Sequence, residues 1–510
     1  MVTLGWLDLL VLGTFLAAVL ALGFSARLRE NTTLQFIAAG RTLTLPIFVA
    51  TLVATWYAGI LGIGEAVRSF GLGTLVLLGV PYYLFALLYA LVFARRIRQA
   101  DQISIPERLH AKFGRGAALI GSGLIFLLGT PAAHVLMLGI LVQAFTGWSL
   151  VWSVIIATIG GTLFLFRGGL LADARVSLLS FAMMYVGFAI IATYCLVTFP
   201  IGEAWSEFRG TELMTWDGGT GWLTVISFLI LGAWTLIDPG FHQRVTSAAS
   251  PEVGRKGVFV CIGFWFLFDL MTITTGMYAL ALLPKDVLER MSSPFASTDH
   301  INPLLIYPLL GDAILPAGLK AMFLAGILGT VLTGMVGYAL VSGSTFGRDL
   351  IGRALQIRDE GKLLLLSRIG IVVACVAAVV IAFLNRASVV SLWYAWGGCV
   401  VGSLLLPVMA AYGLLGKRRF SGRAISVSMA AAFIISVSWL IWSYRLGNEY
   451  WMMTLPGGAE IGFGTGYQMM KLPDGTEFGL GTLLPGLLVS AIVLAVARTL
   501  GRGEVNESDS

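Results

Sequence analysis

The chain has 510 residues, of which 57% are hydrophobic and only 12% charged, with a formal net charge of +6. Soluble domains are about 25% charged, so lipid must solvate much of this surface, and a water-facing globular fold is excluded. The basic residues sit in short loops between apolar runs, which points to membrane topology and argues against a nucleic-acid partner.

A spanning helix needs about 20 mostly apolar residues, and about thirteen such segments follow one another along the chain. They lie near 5–25, 44–66, 73–94, 117–146, 149–166, 176–198, 221–238, 256–283, 319–346, 366–384, 391–415, 424–443 and 480–500. No basic residue precedes the first segment, while Arg27 and Arg29 follow it. That is the reverse of a secretory signal, so the segment is expected to be a retained span with its N-terminus outside. The alternation then puts Arg95, Arg96, Arg98, Arg255, Lys256 and Arg348 in cytoplasmic loops. Arg244, Lys417, Arg418 and Arg419 fall in cytoplasmic loops as well. Positive loops face the cytoplasm, so the C-terminus is expected there too, with the cell (inner) membrane as the location.

The longest outside loops are expected at 199–220, 284–318 and 444–479. The last carries Trp451, Gly457, Gly458, Gly462, Gly464 and Gly466, and reads as a surface loop or as a cap over the outer mouth. The tail Gly501–Ser510 is short and polar and leaves no room for a signalling domain. Cys195, Cys261, Cys375 and Cys399 all lie within apolar segments and read as small buried side chains. There is no CxxC, no Walker loop and no catalytic triad, so neither a metal centre, an ATP-driven pump nor an enzyme is expected.

Transporters are commonly built from two inverted repeats, each with a helix broken at the membrane midplane. The second span reads Ala54-Thr55-Trp56-Tyr57-Ala58-Gly59 and continues through Gly62 and Gly64. The seventh reads Gly232-Ala233-Trp234-Thr235, then Asp238-Pro239-Gly240. Each would open one repeat, 44–198 or 221–415. Around them stand an N-terminal span and loop at 1–43, an outside loop at 199–220, and two C-terminal spans at 416–510.

In the ninth span Thr330, Thr333 and Gly334 share one helical face. Their hydroxyls either bond carbonyls of their own helix or join carbonyls freed near Ala54 and Tyr57 in holding a hard cation. Trp56 and Trp234, with Thr235, read either as the walls of a solute pocket or as helix-packing aromatics. Asp269, at the centre of the eighth span, reads as a proton carrier, the partner of a cationic substrate, or a carboxyl locking two helices. Glu65 and Arg68, at i and i+3, read as an outer gate or as a static pair. His134 reads as a helix-satisfied histidine or a substrate ligand, and Asp238 as a helix terminator or as an inner gate with Arg244.

Several segments resemble those of the sodium:solute symporter family. They are Phe36-Ile37-Ala38-Ala39-Gly40-Arg41, Ala54 to Tyr57, Gly168-Gly169-Leu170, Gln243-Arg244-Val245, Ala248-Ala249-Ser250-Pro251, Ser344-Thr345 and Arg348-Asp349. They run in order through residues 36–350. The resemblance implies an all-α membrane protein with leucine-transporter-like inverted five-helix repeats. It also implies sodium-driven uptake of a small organic solute by alternating access. By position, the family's sodium site would use the carbonyls of Ala54, Tyr57 and Thr330, with Thr333 giving a hydroxyl. Gly334 stands where the family usually carries Ser or Thr, and Val176-Ser177 where it carries Thr-Asp. Val336 and Gly337 replace the polar residues of members that bind a second sodium, so at most one Na+ is expected. A proton-coupled or uncoupled carrier on the same fold, or a solute-binding membrane sensor, are the competing readings.

Overall fold

A computed structural model describes residues 2–291, 300–384, 389, 396–416, 420–445 and 481–500, together with four short strands between 451 and 479. Lys417, Arg418, Arg419, Gly457, Gly458, Gly464, Gly466 and the tail from Gly501 lie outside the described residues. Among those described, eleven helices are long and apolar enough to cross a membrane. Eleven of the thirteen expected segments meet one of them, and the segments 149–166 and 391–415 meet the shorter apolar helices Leu150–Thr162 and Gly398–Ala411. A third short helix, Pro303–Ile314, occupies part of the expected outside loop 284–318. It is too short to register in a 20-residue hydropathy window.

Eight helices frame the interior. They are α1 (Trp6–Ser25), α2 (Leu45–Trp56), α3 (Ile60–Phe70), α4 (Leu165–Thr198), α5 (Trp222–Leu231), α6 (Pro239–Ser247), α7 (Pro251–Leu282) and α8 (Leu319–Ser344). Burial sorts them. In the most apolar stretch of the span Leu319–Gly352, 94% of residues are buried, against 28% for Trp6–Ser25. α8 is therefore the axle of the bundle, while α1 turns most of its leucines outward, as a lipid-facing helix does. α8 packs closely on α4 because Gly326 lets the helix approach the Met183 backbone, and a Cβ there would stand 2.6 Å from the Met183 carbonyl. Small residues at such contacts are how membrane helices gain packing without a hydrophobic driving force.

Two spans are broken. Tight turns at Tyr57–Gly59 and Gly232–Leu236 interrupt them. The first break separates α2 from α3 and the second separates α5 from α6. The second break ends on Asp238, whose carboxylate accepts from the Phe241 N–H at 2.9 Å and caps α6, with Pro239 in the first turn. Proline is suited there because its missing N–H would have had no partner anyway.

The motif segments gather at one end of the bundle. Leu43 bridges to Ala248, with Leu43 N–H to the Ser247 carbonyl at 3.1 Å and Ala249 N–H to the Leu43 carbonyl at 2.9 Å. The Gln243 amide donates to the Ile37 carbonyl at 2.9 Å. Gly169 takes φ +50° directly against the Phe36 backbone, a place no side chain fits.

One element adds to the helical expectation. Trp451–Thr454, Glu460–Phe463, Gln468–Lys471 and Glu477–Gly479 form a four-stranded antiparallel meander, β1-β2-β3-β4. Ile461 pairs with Met453 on one side and Met470 on the other. The Pro-Gly-Gly and Pro-Asp-Gly triplets at 456–458 and 473–475 are the turn signals that separate the strands in sequence.

Candidate functional site

The break after α2 faces α8. The Thr333 hydroxyl donates to two oxygens, the Thr330 carbonyl at 2.8 Å and the Ala54 carbonyl at 3.1 Å. Ala54, Thr330 and Thr333 are all fully buried. Three oxygens from two helices therefore converge on one point, and Tyr57 begins the tight turn directly after α2. The tight turn departs from the regular i→i+4 ladder, which frees carbonyls there. The two threonines part company: the Thr330 hydroxyl bonds back to the Gly326 carbonyl at 2.6 Å, as a threonine inside a helix commonly does. Thr330 thus offers its carbonyl rather than its hydroxyl.

Gly334 lies where helix and break touch. A Cβ at this position would overlap Ala58 and stand 2.5 Å from the His134 ring. The missing hydroxyl at 334 is thus part of the packing, and the His134 imidazole fills the neighbouring volume. His134 stacks on Tyr338 with ring centroids 5.3 Å apart, and its Nδ1 has no hydrogen-bond partner among the described residues. The set is Ala54, Tyr57, Thr330 and Thr333, all oxygen donors. That chemistry suits a hard alkali cation carried as a substrate, and a nitrogen neighbour does not improve it.

Beside the break opens a cavity of about 270 Å³. Trp56 and Trp234 line it, as do Tyr82, Tyr338, Asp238 and Asp269. The Trp56 indole packs edge-on against Tyr82 and Phe241, with centroids 5.1 and 5.0 Å away. Tyr57 turns its ring toward α7, where its hydroxyl donates to the Trp265 carbonyl at 2.9 Å. Asp269 accepts a hydrogen bond from the Tyr83 hydroxyl. Asp238 accepts from the Tyr338 hydroxyl at 2.8 Å in addition to its helix-capping bond.

Not every expected residue reaches this space. Thr235 is fully buried, does not line the cavity, and its hydroxyl has no partner among the described residues. Glu65 and Arg68 lie half-buried on α3, away from the cavity lining. Arg244, expected in a cytoplasmic loop or as a gate with Asp238, is instead fully buried. Its guanidinium pairs with Asp173 at 2.6 Å, donates to the Thr55 hydroxyl at 3.0 Å, and bonds the Gln243 side chain. Ser177 supports Asp173 at 3.2 Å. Residue 173 precedes the predicted sixth span and reads as a loop charge until the fold brings it to α6. Tyr338 was also missed, although it stands four residues after Gly334, on the face that carries Thr330.

A profile of the sodium:solute symporter family matches residues 36–416. The chain belongs to that family. It is 23% identical over 426 residues to sodium/glucose cotransporter 4 of Danio rerio, covering 74% of this chain and 63% of that protein. It is 24% identical over 435 residues to sodium-coupled monocarboxylate transporter 1 of Xenopus laevis, covering 78% of this chain and 67% of that one. The chain thus spans roughly two-thirds or less of these relatives' lengths. Among solved structures, a Na+-coupled sialic acid symporter in a substrate-bound outward-open state aligns with TM-score 0.73 at 15% identity, over 97% of this chain and 98% of that one. At that identity the likeness establishes the fold, which is leucine-transporter-like.

Proposed function

We propose that this protein is a secondary active transporter that couples Na+ movement to that of a small organic solute by alternating access. The carrying observation is the bond from the Thr333 hydroxyl on α8 to the Ala54 carbonyl at the first break. It links an unbroken helix to a broken one, at the spot where an ion can hold both together. Na+ would be held by the carbonyls of Ala54, Tyr57 and Thr330 and by the Thr333 hydroxyl, and released when α2 and α8 separate. Ion and solute sites share the break after α2, since Trp56 lines the cavity and Ala54 faces α8. Coupling then needs no long path: whatever fixes the turn at Tyr57–Gly59 serves both ligands.

Membership of a sodium:solute symporter family supports this reading. At most one Na+ per cycle is the stoichiometry that Val336 and Gly337 favour, since neither carries a side-chain oxygen. The positive loops favour a cell-membrane location with the N-terminus outside and the C-terminus in the cytoplasm. The test is thermal stability of the purified protein in NaCl against KCl at equal ionic strength. Selective stabilisation by sodium is expected, and identical melting curves would overturn sodium coupling. A proton-coupled carrier is the second reading, favoured by Asp269 on the cavity wall. Under it, a pH gradient without sodium would drive accumulation in proteoliposomes.

A further inference from the structure

Five carboxylates are buried among the described residues: Asp8, Asp173, Asp238, Asp269 and Asp349. Three of them have a basic partner. Asp8 stands 3.6 Å from Lys320, Asp173 2.6 Å from Arg244, and Asp349 3.0 Å from Arg348. Asp238 and Asp269 form no ion pair among the described residues, and these are the two that line the cavity. Among the described residues, no Lys or Arg stands in that lining. An uncompensated carboxylate out of water is costly, which is why buried charges are almost always paired.

We propose that the transported solute is a small organic cation, an ammonium compound without a carboxylate of its own, whose charge completes this pair of acids. The proposal rests on the transporter reading and names the class of solute. Asp269 is the principal anchor. Its partner Tyr83 is a neutral donor, which satisfies a lone pair without cancelling the charge. Asp238 is partly offset already, because it caps the N-terminus of α6. Trp56, Tyr82, Trp234, Tyr338 and Trp396 add aromatic faces to the wall, beside aliphatic residues and His134. Aromatic faces attract ammonium groups through the ring quadrupole, most strongly when desolvated. The same surface opposes an anion, which would meet two carboxylates and, among the described residues, no Lys or Arg. The cavity of about 270 Å³ lies below the usual range of ligand pockets, about 300–1,000 Å³, so a small cation fits better than a polycyclic one.

The experiment uses the full chain in nanodiscs with NaCl present. Its probes are tetramethylammonium, choline, putrescine, benzylamine and phenethylamine. Choline is matched with its uncharged isostere 3,3-dimethyl-1-butanol, phenethylamine with 2-phenylethanol, and benzylamine with benzyl alcohol, while 3-phenylpropionate serves as an anion. Melting temperature and uptake of the labelled probe are read for each. At least one cation is expected to stabilise the protein and accumulate, with its isostere at least ten-fold weaker. Asp269→Asn should cut affinity for that cation ten-fold or more, and Asp238→Asn, which keeps the helix cap, several-fold. The proposal is overturned if no cation binds, if an isostere or the anion binds as well, or if Asp269→Asn leaves cation affinity intact. Sodium stabilisation is scored separately against KCl. A sodium response without a cation response removes this proposal and leaves the transporter reading, and the converse removes sodium coupling alone.

Discussion

Two acidic residues are similarly buried in this molecule and do opposite things. Asp173 is fully buried and closed off by Arg244, Thr55 and Ser177, so that α2, α4 and α6 are tied together at one end of the bundle. Asp269 is buried as well, but it faces a cavity and, among the described residues, forms no ion pair, while the Tyr83 hydroxyl donates to it. The first arrangement has every charge answered inside the protein and behaves as a fastener. The second leaves a charge to be answered by something that comes and goes. Burial alone therefore does not mark a functional carboxylate; what faces it does.

The comparison can be broken most forcefully at Arg244. Arg244→Met leaves Asp173 buried and unpaired, and breaking a buried pair costs about 3–5 kcal/mol. A sharp loss of monodisperse protein on size-exclusion chromatography is expected. The double variant with Asp173→Leu should recover much of it, because apolar replacement of both partners removes the desolvation cost. If Arg244→Met behaved like the unaltered chain, the fastener role would be wrong.

Gly334→Ser probes the seam between the two regions. It restores the hydroxyl the family usually carries, yet its Cβ would overlap Ala58 and crowd His134. Overpacking of this kind costs about 1–3 kcal/mol. A lowered melting temperature with no gain in sodium response is expected, and a gain would mean that the packing at 334 yields easily.

Asp269→Asn sharpens the contrast from the other side. A ten-fold loss of cation affinity corresponds to about 1.4 kcal/mol, while the ligand-free melting temperature should hold or rise because a desolvated charge is removed. A stability loss like that of Arg244→Met would class Asp269 as a second fastener.

The smallest effect is expected at Thr333. Thr333→Ala removes one oxygen and its shared hydrogen bond to the Thr330 and Ala54 carbonyls, worth about 1 kcal/mol, so the sodium dependence of stability should weaken several-fold. Unchanged sodium dependence would take that residue out of the ion site.

Much of this was legible in the chain because lipid imposes a local code. Twenty apolar residues make a span, and glycines such as Gly59 and Gly232, with the Asp238-Pro239-Gly240 stop, weaken helices where they stand. Thr330 and Thr333 fall on one face by helical period alone. The family likeness then implied that the carbonyls of Ala54 and Tyr57 join them. The meander near the C-terminus was less visible, since four strands of three or four residues leave little period to detect.

By itself, then, the sequence determined the spans, their order, the weak points of two helices and the oxygens available at them, for hydropathy and helical period act over a few turns of chain. Tertiary structure alone decided that the Thr333 hydroxyl meets a carbonyl 279 positions away and that Arg244 reaches Asp173, 71 positions away, rather than Asp238. It alone decided that Asp238 and Asp269 share one cavity. Which charge finds which partner depends on distances that only packing sets. A charge in lipid costs the same wherever it is written in the chain, but whether that cost is answered is a property of its neighbours in space.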